Sequence, residues 1–152
     1  MLFRSYPFGH GLSYTTFRYS NISVAPERAA AGAAFTVACD VTNTGARAGE
    51  EVVQLYLRDD YTSVVTFDQE LRGFTRVSLA PGETKRVQFE VKPEHLMLFD
   101  REGKWSIEPG RFTVGIGASS EDLRLRTTFI VTRIDGTAPT EAPVRESKSD
   151  PR

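Results

Sequence analysis

One cysteine, Cys39, two histidines, His10 and His95, and one tryptophan, Trp105, are all that this 152-residue chain has of the scarcer side chains. A lone cysteine excludes an internal disulfide framework, and two histidines without a cysteine pair are too few for a structural zinc site, so no metal or other cofactor is expected. Charge of one sign is missing too. Nineteen Lys plus Arg stand against 20 Asp plus Glu, a net charge of -1, which argues against electrostatic binding to nucleic acid or to an anionic membrane. No apolar run approaches the roughly 20 residues that cross a bilayer. Met1 to Pro7 also lacks the apolar stretch of a secretory leader. The expectation is a soluble chain without a targeting segment, its compartment undetermined.

What the chain does have is alternation. Phe35, Val37, Cys39 and Val41 fall in one phase, with Thr36, Ala38, Asp40 and Thr42 in the other, the period-two pattern of a half-buried strand. It returns in Val87, Phe89 and Val91, in Phe112, Val114 and Ile116, and in Leu123, Leu125, Thr127, Phe129 and Val131. Glu50 to Asp59 is apolar in both phases, as in a central strand covered on both faces. Tyr14 to Val24 and Glu70 to Leu79 complete about seven strands. The turns between them carry the required residues: Asn43 to Gly49, Ala80-Pro81-Gly82-Glu83 and Glu108-Pro109-Gly110. Only Pro93 to Met97 reads as helical, and for barely one turn. The fold class is therefore all-β, an antiparallel sandwich of immunoglobulin-like or fibronectin type III-like architecture. Cys39, in the inward phase, is expected to be an inert buried thiol.

Two stretches break the alternation. Residues 132–152 are polar and rich in Pro, Glu and Asp, too poor in apolar area to offset chain entropy, and are expected to be a disordered tail. Residues 1–13 are aromatic and glycine-rich, an irregular lead-in packed on a sandwich that occupies residues 14–131.

Tyr6-Pro7-Phe8-Gly9-His10-Gly11-Leu12-Ser13-Tyr14-Thr15-Thr16-Phe17 resembles the junction peptide of glycoside hydrolase family 3 enzymes, which precedes their C-terminal fibronectin type III-like domain. The likeness continues through Val41 to Gly45, Gly49 to Leu57, Glu70 to Phe74, Leu79 to Glu83 and Gly110 to Gly117. That resemblance implies β-glucosidases and β-xylosidases acting with retention, for which two carboxyl groups about 5 Å apart are needed. In the family these groups lie in a barrel and an α/β domain, both missing from this chain. The chain thus looks like the accessory domain alone.

No set of residues here replaces that machinery. Asp59-Asp60, Glu50-Glu51, Glu121-Asp122 and the pair Asp100 and Glu102 read as turn or exposed-phase carboxylates, solvated and bonded to local backbone. Gly9-His10-Gly11 and Gly115-Ile116-Gly117 lack the third glycine and following helix of a phosphate cradle. His10 has no carboxylate or serine partner in a nucleophile context, and His95 is expected to face solvent. Trp105, Tyr56, Tyr61, Phe67 and Phe74 have the faces of a sugar-stacking platform, but aromatics are common on strands and in sandwich cores and Trp105 follows a turn where packing is routine, so they are read as structural. Asn21-Ile22-Ser23 falls inside a strand and is read as a chance glycosylation motif.

The stretch from Asp59 to Gln69 is too apolar for a free loop. In the family that region and the junction peptide lie toward the catalytic domains. Tyr6, Phe8, His10, Tyr14, Tyr61, Phe67 and Arg72 are accordingly the candidate interface residues, the competing reading being that they close one end of the sandwich. Two functions stay open: a non-catalytic module that docks onto the catalytic domains of such a hydrolase, or an independent module that binds polysaccharide or a cell-surface partner. An uncovered aromatic patch also invites self-association. The tail generates a first prediction: limited proteolysis should remove residues beyond Gly136 and leave the domain's melting temperature unchanged, whereas strong amide protection there would contradict disorder.

Overall fold

The computed structural model describes residues 6–64 and 68–135; Phe67 and the tail beyond Asp135 lie outside them. Seven long strands form from the seven alternating segments: β1 (Phe17–Ala25), β3 (Phe35–Asn43), β4 (Gly49–Asp59), β5 (Glu70–Leu79), β6 (Thr84–Val91), β9 (Gly110–Gly117) and β10 (Leu123–Thr132). Three short strands join them: β2 (Arg28–Ala30), β7 (Leu98–Phe99) and β8 (Trp105–Ser106), with a 3-10 turn over Pro93–Leu96.

Two sheets face each other, one in the order β1-β3-β6, the other β2-β10-β9-β4-β5, and β7 and β8 make a small hairpin of their own. This is the expected all-β sandwich. The pairing is antiparallel except that β2 runs parallel to β10, with Val131 opposite Ala29. The chain leaves the first sheet after β1 and crosses to the edge of the second, a switch that a single strand from Tyr14 to Val24 did not foresee. Ordered pairing continues to Thr132, which is buried, one residue past the expected end of the domain.

The inward phase fills the core. Phe35, Val37, Cys39 and Val41 pair across to Val91, Phe89, Val87 and Lys85, and meet Val53, Leu55, Phe112, Val114, Ile116, Phe129 and Val131 from the other sheet. Phe129 lies between Phe35 and Phe112, at centroid distances of 4.1 and 5.4 Å. Each such side chain contributes about 1.5–3 kcal/mol on burial. Burial pushes the Cys39 thiol up to about 11, so it stays protonated and inert.

The turn from Asn43 to Gly49 is organised by one buried side chain. Asn43 Nδ2 donates to Arg47 O at 2.7 Å and Leu79 O at 3.0 Å. Its Oδ1 accepts from Gly45 N at 3.0 Å and from Thr15 Oγ1 at 2.7 Å. Replacing it removes partners from several groups at once, each costing about 1–3 kcal/mol when left unmade and buried. Asn43→Ala should lower unfolding free energy by about 2–4 kcal/mol in denaturant titration, and Thr44→Ala, at an exposed neighbour, by about 0.5 kcal/mol or less. Equal effects would refute the hub.

Candidate functional site

The outer face of the five-stranded sheet carries a buried polar layer instead of solvent. On β4, Val53, Leu55 and Leu57 point inward, which leaves Gln54 and Tyr56 on the outside, yet both are buried. Residues 8–11 cover them. Gln54 Nε2 donates to Gly9 O at 2.9 Å and Ala118 O at 2.7 Å, and Tyr56 Oη donates to Gln54 Oε1 at 2.6 Å. Ser120 N donates to Phe8 O at 2.9 Å. Gly9 is at φ 79°, and a Cβ there would collide with the Gln54 carboxamide, so only glycine lets the segment lie this close. Tyr56 sits across from Gly115, whose missing side chain leaves room for Leu123.

Having been tied down, the lead-in segment turns its aromatics outward. Phe8 is 66% exposed, Tyr14 97%, and Tyr6 stacks on His10 at 4.8 Å. Phe74, opposite Gln54 on β5, is 70% exposed. Phe8, His10, Leu12, Val52, Leu71 and Phe74 line a shallow cavity of about 640 Å³. Phe8 and His10 therefore belong to one surface, to which the stacking joins Tyr6, while Tyr14 stands exposed on the same segment outside the cavity lining. Phe74, which reads as an ordinary strand aromatic, belongs to the same surface. His10 makes a stacking contact and has no catalytic partner among the described residues.

Tyr61 and Arg72 belong elsewhere, Tyr61 just past the C-terminal end of β4 and Arg72 on β5, opposite the middle of β4. Tyr61 Oη accepts from Arg111 at 3.3 Å, and Arg111 Nε donates to Asp60 Oδ2 at 2.9 Å. Thr113 Oγ1 also bonds the Asp60 carboxylate at 2.9 Å. Asp60, half-buried with its side chain 6% exposed, is thus a bracing group and not a solvated turn residue. Arg72 is the extra residue of a β-bulge: Leu55 pairs with Gly73 and Tyr56 with Leu71, which leaves Arg72 between them. Its guanidinium contacts the Glu70 carboxylate. Arg72 Nε is the single buried side-chain nitrogen or oxygen without a partner among the described residues. Such an orphan donor costs about 1–3 kcal/mol.

Arg72, Glu70 and Asp59 line an open cavity of about 500 Å³ with Glu94, His95, Phe99 and Trp105. Trp105 and Phe99 are 66% and 55% exposed, so Trp105 is not packed into the sandwich as its place after a turn suggested. The β7-β8 hairpin is a sheet of its own, with Leu98 buried and Phe99 and Trp105 turned outward. His95 is half-buried, its Nδ1 accepting from Lys92 N at 3.2 Å, rather than facing solvent. The Gly73 within β5 was the available signal for the bulge, since glycine inside a strand often marks one.

Glu51 also departs from a solvated carboxylate. It is buried, accepts from Tyr19 Oη at 2.7 Å and lies 3.9 Å from Arg124, whose guanidinium covers the Tyr19 ring. Burial raises the Glu51 and Tyr19 pKa values above their ordinary range. The arrangement is a brace between β1, β4 and β10.

A two-sheet sandwich of seven long strands with a peptide strapped to its outer face defines the immunoglobulin-like class. Residues 51–120 match the fibronectin type III-like domain family. The chain is 44% identical over 128 residues to a β-xylosidase of Formosa agariphila, covering 84% of this chain and 18% of the relative. It is 43% identical over 125 residues to β-glucosidase BoGH3A of Bacteroides ovatus, covering 82% and 17%. A solved β-glucosidase of Erythrobacter marinus superposes with a TM-score of 0.79 at 40% identity, over 87% of this chain and 18% of that one. This chain belongs to the fibronectin type III-like domains of glycoside hydrolase family 3 β-glucosidases and β-xylosidases. It spans less than a fifth of the length of these relatives. No helix among the described residues is long and apolar enough to cross a membrane.

Asp59 supplies a pH test of the cavity. Burial, opposed by the hydrogen bond from Tyr61 N and reinforced by Glu108 and Asp60, pushes its carboxyl up to about 6 from an ordinary 3.8. The folded state therefore holds this proton more tightly than the unfolded chain, and folding is penalised above both values and relieved as pH falls from about 6 to about 4. Asp40 and Asp122, with lowered values, act in the opposite sense only below the ordinary carboxylate range. Asp59→Asn should raise the melting temperature at pH 7 and flatten its change between pH 4 and 6; an unchanged profile would contradict the buried carboxyl.

Proposed function

We propose that this chain is a non-catalytic module that docks through the outer face of its five-stranded sheet onto the catalytic domains of a family 3 glycoside hydrolase and stabilises them. The observation that carries this reading is the strapped lead-in segment. Its backbone is bonded to Gln54 and Ser120, which fixes the peptide's position, while Phe8 and Leu12 point away from the domain beside Phe74. Exposed aromatics on a rigid support form the kind of apolar patch that a partner covers. The size of the relatives supports it too, since each of them extends far beyond the part that this chain matches. Carbohydrate metabolism is then the setting, and the parent enzyme would be a retaining β-glucosidase or β-xylosidase.

A graft tests this. When residues 6–135 of this chain replace the matching segment of β-glucosidase BoGH3A, the chimaera should melt in one cooperative transition. With Phe8→Ser and Phe74→Ser together, the graft should uncouple into two transitions, while the isolated chain carrying both changes should melt within a few degrees of its parent because the two rings are exposed. A mutated graft that still melts as one unit would sink the docking face.

A further inference from the structure

The cavity at the far end of the sandwich shares no lining residue with the docking face, and the docking reading leaves it unused. Its volume of about 500 Å³ falls within the roughly 300–1,000 Å³ of ordinary small-molecule sites. Three features distinguish it from a gap in packing. Trp105 and Phe99 stand edge to face at 5.5 Å on a hairpin that pairs them directly. The Asp100 carboxylate caps that hairpin's turn, accepting from Glu102 N and Lys104 N at 2.9 and 3.0 Å. Two large rings are thus held in place while exposed to water. Next, the β5 bulge places Arg72 in the cavity wall, its side chain 30% exposed and its guanidinium paired with the Glu70 carboxylate. Finally, three carboxylates, Asp59, Glu70 and Glu94, share the lining with one guanidinium and the His95 imidazole, so an anion is disfavoured and a donor of hydroxyl groups is favoured.

The geometry points to a binding site for a neutral saccharide, with a pyranose ring stacked by its C–H face on Trp105 and its hydroxyls shared between Arg72 and the Asp59 and Glu70 carboxylates. A ring with equatorial hydroxyls has flat apolar faces for an indole and a rim that both donates and accepts. A purely apolar ligand would cover the exposed part of the Arg72–Glu70 pair without bonding it, and a uronate or phosphate would meet the carboxylates. The saccharide alone answers all three features. This inference is independent of the docking face.

Trp105 is the chain's only tryptophan, so its emission reports the event without background. Titrating the whole chain with cellotetraose should change Trp105 emission saturably, with a dissociation constant between about 10 μM and 10 mM. Arg72→Met should weaken binding about tenfold or more, and Trp105→Ala, followed by calorimetry, should abolish it, while Phe8→Ser leaves it unchanged. If either cavity variant melts early, amide-shift mapping on the unmutated chain decides, with changes expected at residues 70–72 and 94–106. No saturation up to about 10 mM, or shifts confined to residues 6–16, would overturn the site and leave the docking reading standing.

Discussion

The rest of the domain depends on a fully buried carboxamide, that of Asn43. It stands where β3 leaves one sheet and the chain must enter β4 of the other, a crossing at which backbone groups lose their ladder partners. Its side chain satisfies the carbonyls of Arg47 and Leu79 and the amide of Gly45, while its own backbone exchanges bonds with Gly82 and Glu83. One residue thereby joins the β3-β4 turn and the end of β5 through its side chain and the β5-β6 turn through its backbone. No apolar residue could do this, because the groups to be satisfied are buried donors and acceptors. The same Oδ1 also accepts from Thr15, which extends the constraint to the lead-in segment. The position of residues 6–16 is thus set at both ends, by Asn43 at Thr15 and by Gln54 at Gly9.

Anchoring at two points explains why an irregular segment with so many aromatics keeps a defined place on a sheet. Its own apolar groups contribute little to holding it, since Phe8, Leu12 and Tyr14 face water. Hydrogen bonds to a buried Gln54-Tyr56 pair hold it instead, and Gly9 permits the approach. The apolar side chains are left free for another surface. The opposite end of the sandwich works differently: there a bulge and a short hairpin bring Arg72 and the Phe99-Trp105 pair around a cavity rather than a patch.

Alternation carried the seven long strands and their inward phase into plain view, because covering one face of a pleated strand imposes period two whatever else the strand does. Phe35 to Val41 and Phe112 to Ile116 read directly as core. Exposure was not legible in the same way. Phe74 and Trp105 look like packing residues, yet periodicity states only which side chains share a face, not whether anything covers that face. The bulge at Arg72 shifts the phase by a single residue, too small a break to register without Gly73 as a marker. Glu51, Asp59 and Asp60 read as solvated because charged residues usually are. Their partners, Tyr19, Tyr61 and Arg111, lie 32, 2 and 51 residues away, two of them beyond any local pattern. The parallel strand β2 is three residues long and carries no periodic signal.

Hydrogen-bond satisfaction separates the parts of the domain that are complete from those that are not. Asn43, Gln54 and Glu51 are buried and Asp60 is half-buried, and all four are partnered within the chain, so each braces the fold and asks nothing of a second molecule. Arg72 is the exception among the described residues, and it stands in a cavity wall rather than in the packed core. The β4-β5 ladder fixes the backbone of the bulge on both sides, with Leu71 and Gly73 each in register, which sets where the Arg72 side chain leaves the sheet. A misplaced polar group on a loop would simply rotate into water. Arg72 Nε is buried, so what a ligand in the cavity would meet is the exposed remainder of the guanidinium beside Glu70, and a polar group held at a defined position is the condition for recognising one ligand geometry over others.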